Sequence, residues 1–550
     1  MRPQLYGTIL VLVASSAAGA HDVVIYGGTA SGVAAAIQAS RMGKSAIVIE
    51  PSQHLGGLTS GGLGFTDSGN KAVVGGIARE FYQRVKKHYD DPKSWIHGAA
   101  EDYKPYRKNE DAMWTFEPKV AERILRAMLA EAKVEAVYGE RLDRAAGVKK
   151  VGAKIVSIAM ESGKTYDGKV FVDATYEGDL MAAAGVSSAT GRESNAVYGE
   201  SLNGVARKWN TGGHRFLVDV DPYVKPGDPK SGLLPLLQDI QPGPEGSADK
   251  LTMGYGFRWK FSKNADRLPI DPPDDYDPRT FELYRRGFQA NAGIEIGRNM
   301  RALGQFEPEG GNIHNFGSGN LARALWAPTN YGSNADFPDS DYATRARIWK
   351  EQQNFMRGIT HFIRTDPVVP EKYKKLGLSI GFQSGIFDET QGFPHQLYVR
   401  EARRMKSAYV VTQKNLAAGT DVDDSVGLAS YGVDEWPYAT YPLNGKVALQ
   451  GGYYSMLYLE EARRGIYKIP YRAITPKQDE CTNLLVPVCV SASHIAMTSI
   501  RMEPVWMILG ESAGVAASMA VKSKVPVQQV EYAGLRTKLL NLKQKLERPV

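Results

Sequence analysis

The residues best suited to chemistry fall into three groups. Gly27, Gly28, Thr29, Ala30, Ser31 and Gly32 lie near the start with Glu50 after them, Arg400 sits in the middle, and His494 and Arg501 near the end. Glycine takes positive φ without steric cost, so Gly27 and Gly28 allow a tight turn. A helix opening at Ser31 turns its free N–H groups and its dipole toward an anion, which is how proteins seat a pyrophosphate. An acid closing the next strand accepts hydrogen bonds from ribose hydroxyls, and an acid there rather than an arginine favours FAD or NAD over NADP. His494 has the ordinary imidazole pKa of about 6.5 that suits a general base near neutrality, with a satisfied core histidine as its alternative. Arg501 could hold an oxyanion. Arg400, Arg403 and Arg404 either orient a substrate or pair with Glu401 and neighbouring acids.

Residues 22–50 must position the first group, and they read as strand, glycine turn, helix, strand and acid. Val23-Val24-Ile25-Tyr26 is a short apolar run of the kind found in sheets buried on both faces. The fingerprint departs from G-x-G-x-x-G at one position, where Thr29 replaces the middle glycine. A second glycine-rich loop follows, Gly56-Gly57-Leu58-Thr59-Ser60-Gly61-Gly62. Its amides can approach a ligand closely, and Thr59 and Ser60 offer hydroxyls to phosphate or ribityl oxygens. His54, just before it, is a conceivable covalent anchor or an ordinary loop histidine. Phe116 to Lys133 predicts an amphipathic helix with Pro118 in its first turn, leading into a third strand. Residues 154–170 predict a hairpin around Glu161-Ser162-Gly163, running into a buried strand over Val170–Asp179 that ends in small and acidic residues. Near the end, Glu503 to Ala520 predicts a long helix whose Gly510, Ala513 and Gly514 permit close approach of a neighbour or ligand, with Glu503 as its cap.

The chain has 550 residues, 43% of them hydrophobic and 23% charged, enough for two or three domains. The expected division is a leader over 1–20, a nucleotide-binding domain over 21–201 and again over 442–550, and an inserted substrate domain over 202–441. The net charge of +7 is spread thinly. Without a basic block interleaved with aromatics, nucleic acid is not an expected partner. Arg2, the apolar stretch Leu5–Val13 and Ala18-Gly19-Ala20 have the pattern of an export signal, giving a secreted or periplasmic protein with no membrane span. The two cysteines, Cys481 and Cys489, flank an apparent strand too extended for a disulfide, so inert part-buried thiols are expected. Ligand-spaced paired histidines are missing, so no metal is expected.

Five stretches together resemble the FAD-dependent oxidoreductases of the glutathione-reductase-like superfamily, and more narrowly a bacterial and fungal family sometimes labelled xanthan-lyase-like. They are Ile25–Ala36, Leu55–Leu63, Val172–Leu180, Leu397–Met405 and Ser491–Pro504. The resemblance implies an α/β fold: a FAD/NAD(P)-binding Rossmann-like domain of glutathione-reductase type carrying an inserted α+β substrate domain. It implies bound FAD, with the second glycine loop along the pyrophosphate and ribityl, Leu142 beside the adenine, and Ala174 and Thr175 at the strand end near the cofactor. Tyr176 and Glu177 depart from the superfamily's usual Ala-Thr-Gly. Leu509–Gly514 is implied to meet the flavin ring. No second glycine fingerprint follows a later strand, so a small organic substrate, an alcohol or sugar-like compound by analogy with the family's label, is expected to give its hydride to flavin N5 directly. An acceptor of unspecified kind reoxidises the flavin. The alternatives are a C–C reductase or desaturase of fumarate-reductase type and a non-catalytic flavin-binding protein.

Overall fold

The computed structural model describes residues 20–96, 99–103, 105–206, 219–290, 329–417, 420–451, 454–455 and 465–549. Apart from Ala20, the expected leader lies outside these residues.

The first strand, β1 (His21–Tyr26), helix α1 (Ala30–Arg41) and β2 (Ala46–Glu50) form the predicted unit. Helix α2 (Gly76–Tyr89), helix α3 (Pro118–Glu131) and strand β3 (Glu135–Tyr138) follow, and Pro118 occupies the first turn of α3, where its missing N–H costs nothing. Strands β4 (Val148–Val151), β5 (Lys154–Ala159) and β6 (Thr165–Asp173) complete a sheet in the order β3-β2-β1-β6-β5-β4, with Leu484–Leu485 pairing beside β6. The pairs β3–β2, β2–β1 and β1–β6 are parallel, with Ile25 opposite Val48 and Val172, while β4-β5-β6 is an antiparallel meander. The hairpin and the strand expected after it are one element: β6 runs unbroken from one into the other and ends at Asp173.

Alternation along β1 explains the layers. Val23 and Ile25 join the large core on the α1 side, whereas Val24 and Tyr26 join a second core with Leu142, Ile155 and Phe171. The helix Glu503–Ser523 lies against α1. A Cβ on Gly510 would collide with the Ser31 carbonyl and one on Gly514 with the Ala35 carbonyl, so these glycines let two backbones touch. This helix is apolar enough to cross a membrane, with a window hydropathy of 1.3, but 89% of that window is buried in the protein.

Residues between β6 and the C-terminal helix supply the helices Tyr342–Thr365 and Glu371–Ser379 and several two-stranded sheets. Arg345 clasps Asp179, at the end of the first sheet, through two bonds of 2.6 and 3.0 Å. The boundary expected at 441 falls inside the strand Pro437–Leu443, which pairs with Lys446–Gly451 as a hairpin, so no break in the fold occurs there. Cys481 and Cys489 are buried free thiols.

Candidate functional site

The turn after β1 builds a cradle. Gly27 has φ of 99°, and a Cβ there would press on Thr175. Thr29 caps α1, its hydroxyl accepting from the Gly32 N–H at 3.2 Å and donating to the Ala174 carbonyl at 2.7 Å. A threonine at the glycine position therefore ties the helix start to the end of β6. The buried Ser31 hydroxyl in the first helical turn faces Gly510 of the helix Glu503–Ser523 and has no hydrogen-bond partner among the described residues. Glu50 accepts from the Gly28 N–H at 2.6 Å and the Ser52 N–H at 2.7 Å, and burial raises its pKa. A cavity of about 160 Å³ opens beside these groups, lined among others by Gly27, Thr29, Glu50, Gly57, Thr175 and Glu177. A turn without side chains at a helix N-terminus and an acid at the neighbouring strand end fit the pyrophosphate and ribose of a dinucleotide.

Other expectations are placed differently. Leu142 lies away from this cavity, in the core on the opposite face of the sheet. Its N–H donates to the Tyr26 hydroxyl at 2.9 Å and its carbonyl accepts from Tyr342 at 3.0 Å, so its backbone is already engaged. The hydroxyls of the second glycine loop are likewise used by the protein: Ser60 donates to the Leu55 carbonyl, and Thr59 donates to Glu503 at 2.6 Å. Gly61 backs onto Gln396 and Gly62 onto the Arg258 carbonyl. Gly510 and Gly514 meet α1, and Ala513 is buried in the same core, so the close approach foreseen for a flavin ring is made by a helix. His54 stacks on His395 with centroids 3.6 Å apart and bonds Glu122 at 3.2 Å.

The cap expected of Glu503 is not formed; its carboxylate makes no cap bond and turns into the core. It accepts from Thr59 and, at 2.7 Å, from Tyr176, whose hydroxyl also accepts the Leu58 N–H at 2.8 Å. Burial pushes this carboxyl up to about 7 against the two hydroxyls that stabilise its charge. One acid thus joins the glycine loop, the end of β6 and the C-terminal helix. The signal for it in the sequence was Tyr176, the residue that breaks the usual pattern.

His494 is fully buried and both its nitrogens are engaged: Nδ1 meets Glu401 at 2.8 Å and Nε2 meets the Tyr438 hydroxyl, which in turn donates to Glu435. Burial opposes the charged ring, but Glu401 and Glu435 outweigh it and raise the pKa to about 9. Its two hydrogen bonds and the raised pKa favour the charged ring, which has no lone pair to offer. The expected general base is a member of a structural network that also holds Arg404, bound to Glu193 at 2.6 Å and Glu401 at 3.2 Å.

Arg501 is buried and bonded to Asp434 at 2.9 Å and to Tyr398 at 3.1 Å, with its pKa raised. Arg400 is buried too, stacked 3.8 Å from the Trp436 centroid and 4.4 Å from that of Tyr398. Sequence reasoning missed the neighbours of these two. Arg258 lies over the same two rings, and Lys260, beside Gly64, is pushed by burial and by Arg258 down to about 7. The arrangement is a buried cationic, aromatic patch on the inserted side of the second glycine loop. Arg403 belongs elsewhere, on Asp179 at 2.9 Å.

The profile of the family described as "FAD dependent oxidoreductase" matches residues 22–539. Among curated proteins none matches significantly. Similar solved structures include an anhydrotetracycline hydroxylase from Streptomyces rimosus (14% identity, 34% of this chain and 40% of that one, TM-score 0.23). A 3-ketosteroid dehydrogenase from Rhodococcus jostii is similar at 18% identity over 32% of this chain and 50% of that one, TM-score 0.19. An L-proline dehydrogenase from P. horikoshii gives 16% identity, 32% and 58%, and 0.23. The chain thus spans between two fifths and three fifths of the length of these structures. By the family match over residues 22–539, the chain belongs to the FAD dependent oxidoreductases, and it is a flavoenzyme.

Proposed function

We propose that this oxidoreductase dehydrogenates a small organic molecule, of alcohol or sugar-like chemistry, and works outside the cytoplasm behind the leader of residues 1–20. Bound FAD supplies the two-electron acceptor for the hydride, and a separate oxidant of unspecified kind takes the electrons on. The first-turn N–H groups of α1 hold the pyrophosphate, and Glu50 holds the ribose. The Leu55–Gly64 loop, sealed by Gln396, Arg258 and Lys260, keeps water from the reacting centre. Oxidising an alcohol to a carbonyl also releases a proton, and Glu503 takes it in place of His494. The observation that supports this reading is the place of the Glu503 carboxyl, held by Thr59 and Tyr176 against the glycine loop, with burial raising its pKa toward neutrality.

Anaerobic mixing of the FAD-loaded protein with a panel of alcohols and aldoses tests it. Loss of the oxidised-flavin absorbance is expected, and Glu503→Gln lowers that rate by about 10²–10⁴-fold. Reoxidation of the photoreduced enzyme by an activated alkene, with no reduction by any alcohol, overturns it in favour of a C–C reductase.

A further inference from the structure

We propose that Arg400 anchors a carboxylate on the substrate, so that the molecule oxidised is an organic acid; this rests on the redox reading above. Other arginines buried in the protein meet acids: Arg192 meets Asp249, Arg345 and Arg403 share Asp179, Arg404 meets Glu193, and Arg501 meets Asp434. Arg400 does not. It is 2% exposed, yet among the described residues no carboxylate lies within ion-pair distance of it. Its Nη1 donates to the Gly254 carbonyl, and its buried Nε has no hydrogen-bond partner. Its charged neighbours are Arg258 and Arg501, so its surroundings add positive charge.

Burial and Arg258 push its pKa down to about 9, the direction expected of a cation that lacks its counter-ion. A buried charge left without a partner is strongly unfavourable, and a carboxylate brought in by a ligand relieves it. The planar guanidinium matches a carboxylate in shape, and the walls of Trp436 and Tyr398 lower the local dielectric so that the pair is strong. The place is also right. From Arg400 the chain runs back through Tyr398 to Gln396, against Gly61, and Arg258 backs Gly62, so the guanidinium stands behind the same loop that Glu503 holds from the other side.

Calorimetric titration of the FAD-loaded protein with acetate against acetamide, and benzoate against benzamide, tests the proposal, with flavin difference absorbance read in parallel. Carboxylates are expected to bind about tenfold or more tightly than their amides. Arg400→Gln is expected to bring that ratio to about one with FAD stoichiometry retained, and Arg400→Lys to keep a reduced preference. Equal binding of acid and amide by the wild type overturns the proposal, as does a ratio untouched in Arg400→Gln. If Arg400→Gln weakens FAD binding but leaves the ratio, the cation serves the cofactor and the proposal falls. Should Arg400→Gln fail to fold, the wild-type ratio and Arg400→Lys decide. A protein that prefers carboxylates but is reduced by no substrate sinks the redox reading and leaves Arg400 standing.

Discussion

The segment from Leu397 to Met405 feeds two buried charge clusters of opposite character. Glu401 and Arg404 turn toward His494, where each cation meets an acid and each acid a donor. Arg400, one residue before Glu401, turns toward Arg258 and Arg501 and forms no ion pair with an acid among the described residues. The first cluster is complete within the protein and holds separated parts of the chain in register. The second carries surplus charge beside the glycine loop, which is what a binding site needs before its ligand arrives. Burial and residue type do not distinguish them; the count of partners does.

Removing Glu401 should break this contrast most severely. Glu401→Gln leaves His494 and Arg404 short of a counter-ion in the core, a loss of about 3–5 kcal/mol, seen as a large drop in thermal midpoint. Arg400→Met, by comparison, should leave the midpoint within about 1 kcal/mol of wild type or raise it, because an uncompensated charge is replaced by an apolar chain. A similar loss in both variants erases the distinction.

The next effect is on pH dependence. The pKa of His494 is raised from 6.5 to about 9 by folding, so its contribution to stability is complete below 6.5 and is lost as pH rises through 9. Converted at 1.36 kcal/mol per pKa unit this is roughly 3 kcal/mol, and His494→Gln should flatten the decline in midpoint between pH 6.5 and 9.5. An effect of similar size in a more acidic window belongs to Glu503, whose pKa rises from 4.5 to about 7. The folded state holds that proton more tightly, so stability falls as pH climbs from 4.5 to 7. Glu503→Gln should match wild type near pH 4.5 and exceed it at pH 8 by roughly 3 kcal/mol in chemical denaturation.

Local patterns in the sequence carried the nucleotide half of the fold. Strand, turn, helix and strand over residues 21–50, the proline-led helix at Pro118 and the small-residue helix from Glu503 each follow from periodicity and turn chemistry within a short window. The glycines at 510 and 514 announced a close approach but not with what, since the partner is α1, more than 450 residues earlier. The reacting groups were harder to read for the same reason. His494 meets Glu401 across 93 residues and Thr59 meets Glu503 across 444, and a histidine's environment, not its type, decides whether it is free to act as a base. Arg400 stood out only as one of several arginines, because the lack of a partner is visible only when the whole neighbourhood is assembled.

The interlocking of Gly510 and Gly514 with the carbonyls of Ser31 and Ala35 has a consequence for biogenesis. The first nucleotide-seating helix emerges from the ribosome well before the surface that clamps it, which follows more than 450 residues later. Until then the small-residue groove of α1 stays uncovered, a sticky stripe that a chaperone must shield or a protease will find. A chain that stops short of Glu503 lacks this clamp and should be unable to capture flavin.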